Sequence, residues 1–593
     1  MNPDPQSMPD AFGRIVTDCI EGILAHQRPD GAIEYDPAAP LAYPQQAIMP
    51  LAFAYAGLGP DRRHRHSPRL LDAICRLGDF LTHWHEADGR IHFNSWGHDV
   101  HTVDQRLVYA WVEGLRLMRE AGADLPYDRW AAKILAACQH LVDHRLTKLM
   151  GVRRFISRVL GTSTNHAALY VSTIYRAGSV LNRPELCAFV LPIGRALAAD
   201  IHPDGYWEEH GDLLRTGGPT PSYNYLTHGG MALLHAWTGE EVFADAIRKS
   251  TAFHEKFSYP DATFLELIDE RVRHDLVATP RVWGLFGFSG SPSGRGMAKI
   301  HFTHWLKSVL DRNAIAPETL ARHCENFLYW NHGPMEPAAF EKPVRCAFLA
   351  LPAALFSRDG WSAGLSAMAA INPEDPAYRD NPFALDRQKL FSVWHENAGL
   401  IVDGSHSKNQ PENSTFRASS SYATDYYPSG GRVYEEDGAW VAHAAYKSFF
   451  GEVRVKPLSR DQMRIVLAVD AAGNRGPFTA GFSLARRAAK IVGLNGRVVD
   501  LGDADIALTA TDLGGGFVYG SITIRGPQTM RVTWPFRPFN SYAADGKSKS
   551  AAWQVRVDAQ LTDQDRSAVF ELAVADCGIG PEADEDASNG DLQ

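Results

Sequence analysis

No long Lys/Arg-rich run occurs in the 593 residues, and acid outweighs base, with 69 Asp and Glu against 59 Lys and Arg and a net charge of −10. A nucleic-acid binder needs a basic footprint, so that partner is disfavoured. An anionic ligand is not excluded, because a few Arg and His side chains can gather locally in an acidic protein. The seven cysteines (Cys19, Cys75, Cys138, Cys187, Cys324, Cys346, Cys577) are odd in number and scattered. No Cys-x-x-Cys pair and no Cys/His ligand spacing occurs, which disfavours a disulfide frame and a Cys-based zinc site. No apolar run approaches the roughly 20 residues that span a bilayer, so no membrane partner is expected. The opening Met1–Asp10 has neither a basic stretch nor an apolar one. A cytoplasmic location is therefore expected, or a periplasmic or secreted one if a leader has been trimmed.

What is present is an ordinary globular composition, 45% hydrophobic and 22% charged, on a chain too long for one core. From about Ala11 to about Ala370 the apolar residues recur with a helical period. Leu70-Leu71-Ile74-Cys75-Leu77-Phe80-Leu81 and Trp130-Ile134-Leu135-Cys138-Leu141-Val142 are examples. Pro192 interrupts one such run, so a kink or break is expected there. Three Asp-Gly turns punctuate the helices, at Asp30-Gly31, Asp88-Gly89 and Asp204-Gly205, each followed by a short extended stretch. Helix, turn, extended stretch and next helix, repeated, suggest helix pairs set in a ring.

Around 372–382 Pro, Asp and Asn accumulate and the helical period stops. Beyond it come short strand-like runs such as Met463–Val469, Phe517–Ile524 and Trp553–Val557. The expected architecture is α+β and multidomain: an (α/α) toroid over 1–375, a linker over 376–385, an antiparallel β-sandwich over 386–578, and an acidic, apolar-poor tail over 579–593.

Three stretches carry candidate chemistry: Asn165-His166 at the start of a helical run, Gly205-Tyr206-Trp207-Glu208 after a turn, and Tyr223-Asn224-Tyr225-Leu226-Thr227-His228-Gly229 opening another helix. Their order, with a sandwich to follow, resembles the heparinase II/III-like polysaccharide lyases, a superfamily that includes alginate lyases with an (α/α) toroid. The likeness spans roughly residues 10 to 575 on short motifs. Of the superfamily's sandwich motif His-x-His-x-Asp, only His406 is matched here, in Ser405-His406-Ser407-Lys408.

The resemblance implies β-elimination at a uronic acid: removal of the C5 proton, expulsion of the C4 oxygen, and a 4,5-unsaturated product. The substrate would be a uronic-acid-containing oligo- or polysaccharide, with attack from the chain end as one expected mode. An ionised carboxylate makes the C5 proton weakly acidic, so the site must neutralise it as charge develops. Resemblance and chemistry assign Asn165 and His166 to that task, with His166 as an alternative base. A phenol would move the proton; Tyr225 fits the Tyr-x-x-His-Gly spacing, and Tyr223 is its rival. A free phenol has a pKa of ~10 and needs help from its neighbours to act as base. A second His would come from the sandwich, His406 first and His395 in reserve. Trp96, Gln105, Arg106, Trp207, Glu208, His228 and Arg295 are the expected substrate contacts, Arg106 by forking onto a carboxylate and Arg295 from a flexible Gly/Ser loop over 287–296. No cofactor is required, and a structural divalent metal at His98, Asp99 and His101 is not favoured. Two other classes stay open. One is a toroid glycoside hydrolase with paired carboxylates drawn from Asp99, Asp104, Glu208 and Glu209. The other is a non-catalytic carbohydrate-binding protein. Oligomeric state is not legible.

Overall fold

The structure, a computed structural model, describes residues 8–36, 40–95, 98–146, 164–208, 218–269, 282–309, 315–370, 376, 380–382, 385–418, 426–471, 477–541, 543, 545–562 and 564–575. The chain forms two compact units. One comprises Met1–Leu213, Tyr223–Glu255 and Pro280–Ala338; the other comprises Leu214–Ser222, Lys256–Thr279 and Ala339–Gln593.

The first unit is helical. Its described helices are α1 (Met8–Asp18), α2 (Ile20–Ala25), α3 (Ile48–Ala56), α4 (Pro68–Trp84), α5 (Gln105–Glu120), α6 (Tyr127–Leu141), α7 (Thr164–Val180), α8 (Pro184–Ala199), α9 (Pro221–Thr238), α10 (Glu241–Lys256), α11 (Leu285–Phe288), α12 (Pro292–Ser308) and α13 (Pro317–Leu328). Their starts follow local chemistry. Ser67 Oγ accepts the Leu70 N–H at α4, and Asp104 Oδ1 accepts the Arg106 and Leu107 N–H groups at α5. Proline occupies the first turn of α4, α8, α12 and α13, where its missing N–H costs nothing. Helix α8 runs through Pro192 without a break; Val190, Ile193 and Leu197 are buried along it and hold it across the lost hydrogen bond.

Close approach at small residues joins the helices in series. A methyl group on Gly114 of α5 would lie 3.0 Å from Ile48 O of α3, one on Gly178 of α7 would lie 2.8 Å from Cys187 Sγ of α8, and one on Gly194 of α8 would lie 3.1 Å from Leu234 of α9. The series closes on itself. Phe12 of α1 stacks on His323 of α13 at 5.6 Å, and Phe53 of α3 meets Phe327 of α13 edge-on at 5.0 Å.

The three Asp-Gly turns are one repeated motif. The N–H groups of Arg28, Glu86 and His202 donate to the carbonyls of Ala32, Arg90 and Tyr206 at 2.8, 2.9 and 2.8 Å. The glycines have φ of +96°, +81° and +96°. A methyl on each would lie 2.2 Å from backbone atoms of Arg76, Ala137 and Lys249, on α4, α6 and α10, so conformation and space both demand glycine. A fourth copy, unmarked by glycine, lies in the second unit: Tyr259 N–H donates to Thr263 O at 2.7 Å, and Ala262 takes φ +68°.

The second unit holds two antiparallel sheets of nine and ten strands. In the nine-stranded sheet burial alternates, as in Gln462–Asp470, so one face looks to the core and one to solvent. In the ten-stranded sheet Trp361–Ser366 and Phe391–His395 are buried throughout. Leu265 and Leu267 of the Lys256–Thr279 segment press on Gly364 and Gly404 and cover its second face. Strands of this unit begin at Arg345, about forty residues before the expected boundary at 386. Arg345–Phe348, Ala353–Arg358 and Trp361–Ser366 are short runs rich in Ala, Ser and Gly, without the β-branched residues that mark a strand in sequence. Half of the expected linker and the whole acidic tail lie outside the described residues. Among the described residues no helix is long and apolar enough to cross a membrane.

Candidate functional site

Helices α7 and α9 pack side by side in the same direction. A methyl on Gly230 of α9 would lie 3.1 Å from Ala168 Cβ of α7, and one turn further along both helices Val171 and Leu234 meet at Gly194. Their first turns therefore share one end of the helical unit, with Asn165 and His166 on one and Tyr223, Asn224 and Tyr225 on the other. The turn after Asp204-Gly205 is tied to both. Thr164 Oγ1 donates to Glu208 O at 2.8 Å, and the Trp207 N–H donates to Asn224 Oδ1 at 3.1 Å. Asn224 continues inward, its Nδ2 donating to Ser250 Oγ at 3.1 Å and to His254 Nε2 at 2.9 Å. Because that nitrogen accepts, His254 carries its proton on Nδ1.

The side chains at this end differ sharply in access. Asn165 is 2% exposed; His166 and Tyr223 are half-buried. Tyr225 is 0% exposed and packs into an aromatic and histidine cluster. Its hydroxyl meets His301 Nε2 at 3.0 Å, and its ring lies 4.1 Å from that of His254 and 5.6 Å from that of Phe288. His228, one turn on, stacks on Phe288 at 4.1 Å and is equally buried. The spacing Tyr-x-x-His puts both residues on one face of α9, and that face is the one turned into the core. Burial holds the His228 and His301 imidazoles down to about 3 and drives His254 well below its ordinary value.

The remaining candidates divide by unit. In the helical unit Trp207 is buried, its indole N–H donating to Leu197 O at 2.8 Å, so it anchors the turn. Glu208 is half-buried beside it. Gln105 is buried at the start of α5, with its carbonyl accepting from Thr173 Oγ1. Arg106 is half-buried next to it, its guanidinium over the rings of Tyr43 and Trp283. The expected Gly/Ser loop over 287–296 is instead two helix ends. Ser291 Oγ caps α12 through the Gly294 N–H, and Arg295 is buried, donating to Pro334 O at 2.8 Å and Ser289 O at 2.5 Å. Glycine there answers close packing, not mobility: a methyl on Gly294 would lie 2.1 Å from Phe288 O. Trp96 and the His98 side chain lie outside the described residues. Asp99 pairs with His92 at 2.6 Å and His101 with Glu86 at 2.9 Å. Among the described residues no group of three His, Cys, Asp or Glu is placed to hold a metal ion.

In the second unit both histidines are buried and bonded to backbone. His406 Nε2–H donates to Leu267 O at 2.8 Å. His395 donates to Arg460 O at 2.9 Å, accepts from the Asn397 N–H at 3.2 Å, and packs on Trp361. With both ring nitrogens of His395 engaged by the main chain, it holds up the sheet.

Asn224, His254 and His301 did not stand out in the sequence. Asn224 sits between two tyrosines that draw attention from it, and the two histidines lie 30 and 77 residues away from it, on other helices.

No protein-family model matches the chain, and no curated protein matches it. Among solved structures it is similar to the Streptomyces coelicolor A3 chondroitin AC lyase in complex with chondroitin sulphate. That match has 15% identity and a TM-score of 0.51, and covers 98% of this chain and 81% of that one. It is also similar to heparinase III, at 11% identity and a TM-score of 0.50 over 97% of this chain and 85% of that one. At such identities the likeness is one of fold: a helical toroid followed along the chain by an antiparallel β-sandwich.

Proposed function

We propose that the shared end of α7 and α9 is the active site of a polysaccharide lyase acting by β-elimination at a uronic acid. The observation that carries this reading is the convergence of Asn165, His166 and Tyr223 on one end, with Asn224 fixing the intervening turn. The two similar solved structures named above are a chondroitin AC lyase and a heparinase III, which agrees with it.

In this mechanism the Asn165 amide and the His166 imidazole hydrogen-bond to the substrate carboxylate. They stabilise the aci-carboxylate that forms as the C5 proton leaves. Tyr223, ionised, takes that proton. The C5 electron pair becomes the C4=C5 bond, the C4–O bond breaks, and the leaving oxygen recovers a proton from the phenol. Tyr223 takes this role rather than Tyr225 because Tyr223 keeps open surface, whereas the Tyr225 hydroxyl is turned into the core and engaged with His301 Nε2 at 3.0 Å. No carboxylate pair is required, which separates this chemistry from glycoside hydrolysis.

The test is ultraviolet absorbance of the unsaturated product across a panel of uronate polysaccharides and their oligomers. Tyr223→Phe should lower turnover by about 10²- to 10⁴-fold, the usual weight of general acid–base catalysis. Tyr225→Phe should leave turnover within about tenfold of the parent. The reverse ranking would return the phenol role to Tyr225, and saturated products alone would reject elimination.

A further inference from the structure

We infer that Arg106, held between Tyr43 and Trp283, is a subsite for a second oxyanion of the sugar chain, a carboxylate or sulfate ester on a ring beside the one that reacts. The inference rests on the lyase reading for its ligand class. Its geometry is separate from Asn165, His166 and Tyr223.

Arg106 differs from Arg116, Arg176 and Arg322, whose charges are met by carboxylates, and from Arg295, whose guanidinium is engaged by backbone carbonyls. Arg116 and Arg176 both pair with Glu113, and Arg322 pairs with Glu325. Among the described residues Arg106 has no carboxylate within ion-pair distance; its contacts are the ring faces of Tyr43 and Trp283, at 5.2 and 5.5 Å from the guanidinium carbon. Its Nε is buried and unpartnered. A half-buried cation without a direct ion pair is costly, and aromatic faces compensate only in part. They also leave the in-plane N–H edge of the guanidinium unused, the edge that binds carboxylate or sulfate by two parallel hydrogen bonds.

The surroundings fit the same ligand. Tyr43, Arg106 and Trp283 are all half-buried, so each keeps some surface open. Trp283 also lies against Arg322, at 5.0 Å. Glu318, whose Oε2 is buried without a hydrogen-bond partner, is raised by burial and drawn back by the nearby charges of Arg106 and Arg322. Trp283 is moored beside the candidate site: a methyl on the adjoining Gly284 would lie 3.1 Å from Gly229 Cα and 3.3 Å from Tyr225 O. The subsite thus lies within about two turns of Tyr223 along α9, each turn being about 5.4 Å. Aromatic walls flanking a cation suit a chain of anionic sugars.

The experiment uses the full chain carrying Tyr223→Phe, so that ligands are not consumed, and measures binding by calorimetry with and without Arg106→Gln. Three probes serve: a neutral xylo-oligosaccharide, an unsulfated uronate tetrasaccharide and its sulfated counterpart. Arg106→Gln should weaken the acidic probes by about 10- to 100-fold, the loss of one charge-assisted contact, and leave the neutral probe unchanged. Arg106→Lys, which keeps the charge without the fork, should recover only part of the loss. A loss confined to the sulfated probe assigns the site to sulfate, and an equal loss on both acidic probes assigns it to carboxylate. Unchanged affinity for all three probes, or equal weakening of all three, overturns the subsite. Equal thermal midpoints of the two proteins exclude a folding defect. Because the readout is binding, it stands even if the elimination test fails, so the two readings fall separately.

Discussion

Single residues decide which phenol is available. Tyr223 and Tyr225 are two positions apart, about 200° around a helix, so one can face open space while the other faces the core. The sequence shows both tyrosines and the Tyr-x-x-His-Gly spacing, but a spacing of three identifies a common face without saying which way it turns. Asn224 settles the local geometry by tying the Trp207 turn to α9 and reaching back to His254 and Ser250. Replacing Asn224 with Ala leaves the Trp207 N–H buried and unpaired. We expect a loss of about 1–3 kcal/mol in stability by denaturant titration, with turnover falling by more than substrate affinity because the turn beside Tyr223 loosens. A variant with unchanged stability would show that another group holds the turn.

Among the elements, the Asp-Gly motif is the clearest case of structure read directly from sequence. Three copies were legible because glycine at a left-handed position leaves a visible Asp-Gly pair. The fourth was hidden because Ala262 adopts the same conformation at a cost. Gly205→Ala forces a methyl to 2.2 Å from Lys249 O at φ +96° and should destabilise the helical unit by several kcal/mol, roughly in line with strain plus overpacking. Ala262→Gly relieves left-handed strain of ~1–2 kcal/mol against an entropy cost of ~0.5–1, and should raise stability by about 0.5–1 kcal/mol. Both effects are read from thermal or denaturant unfolding, and a stabilising Gly205→Ala would contradict the motif. The loop expected over 287–296 failed for a related reason: Gly and Ser there serve a helix cap and a tight contact, which composition does not separate from mobility.

For the molecule as a whole, the order of helices before sandwich was legible, and the boundary was not. The second unit draws Leu214–Ser222 and Lys256–Thr279 from within the helical stretch, and no linear pattern announces such an insertion. The helical unit also buries more imidazoles than its pattern suggests. Burial lowers His85 to about 4 and His228, His301 and His323 to about 3, and lowers His254 as well. Each is neutral when folded, whereas the unfolded chain takes protons below about 6.5. The unfolded state therefore binds more protons in acid. The contribution of these residues is complete above about pH 6.5 and is lost as pH falls toward 3–4, by about 1.4 kcal/mol per pH unit for each. The urea midpoint of the helical signal should fall steeply from about pH 7 to about pH 5; a flat profile would mean that the histidines are charged in the folded protein.

The central claim, that this toroid cleaves a uronate chain by elimination, is tested most directly by the mass balance of its products. A uronate oligosaccharide should yield fragments whose masses sum to that of the substrate, one of them unsaturated, with the reaction suppressed in Tyr223→Phe. Fragments that together carry the mass of one added water would establish hydrolysis and contradict the account.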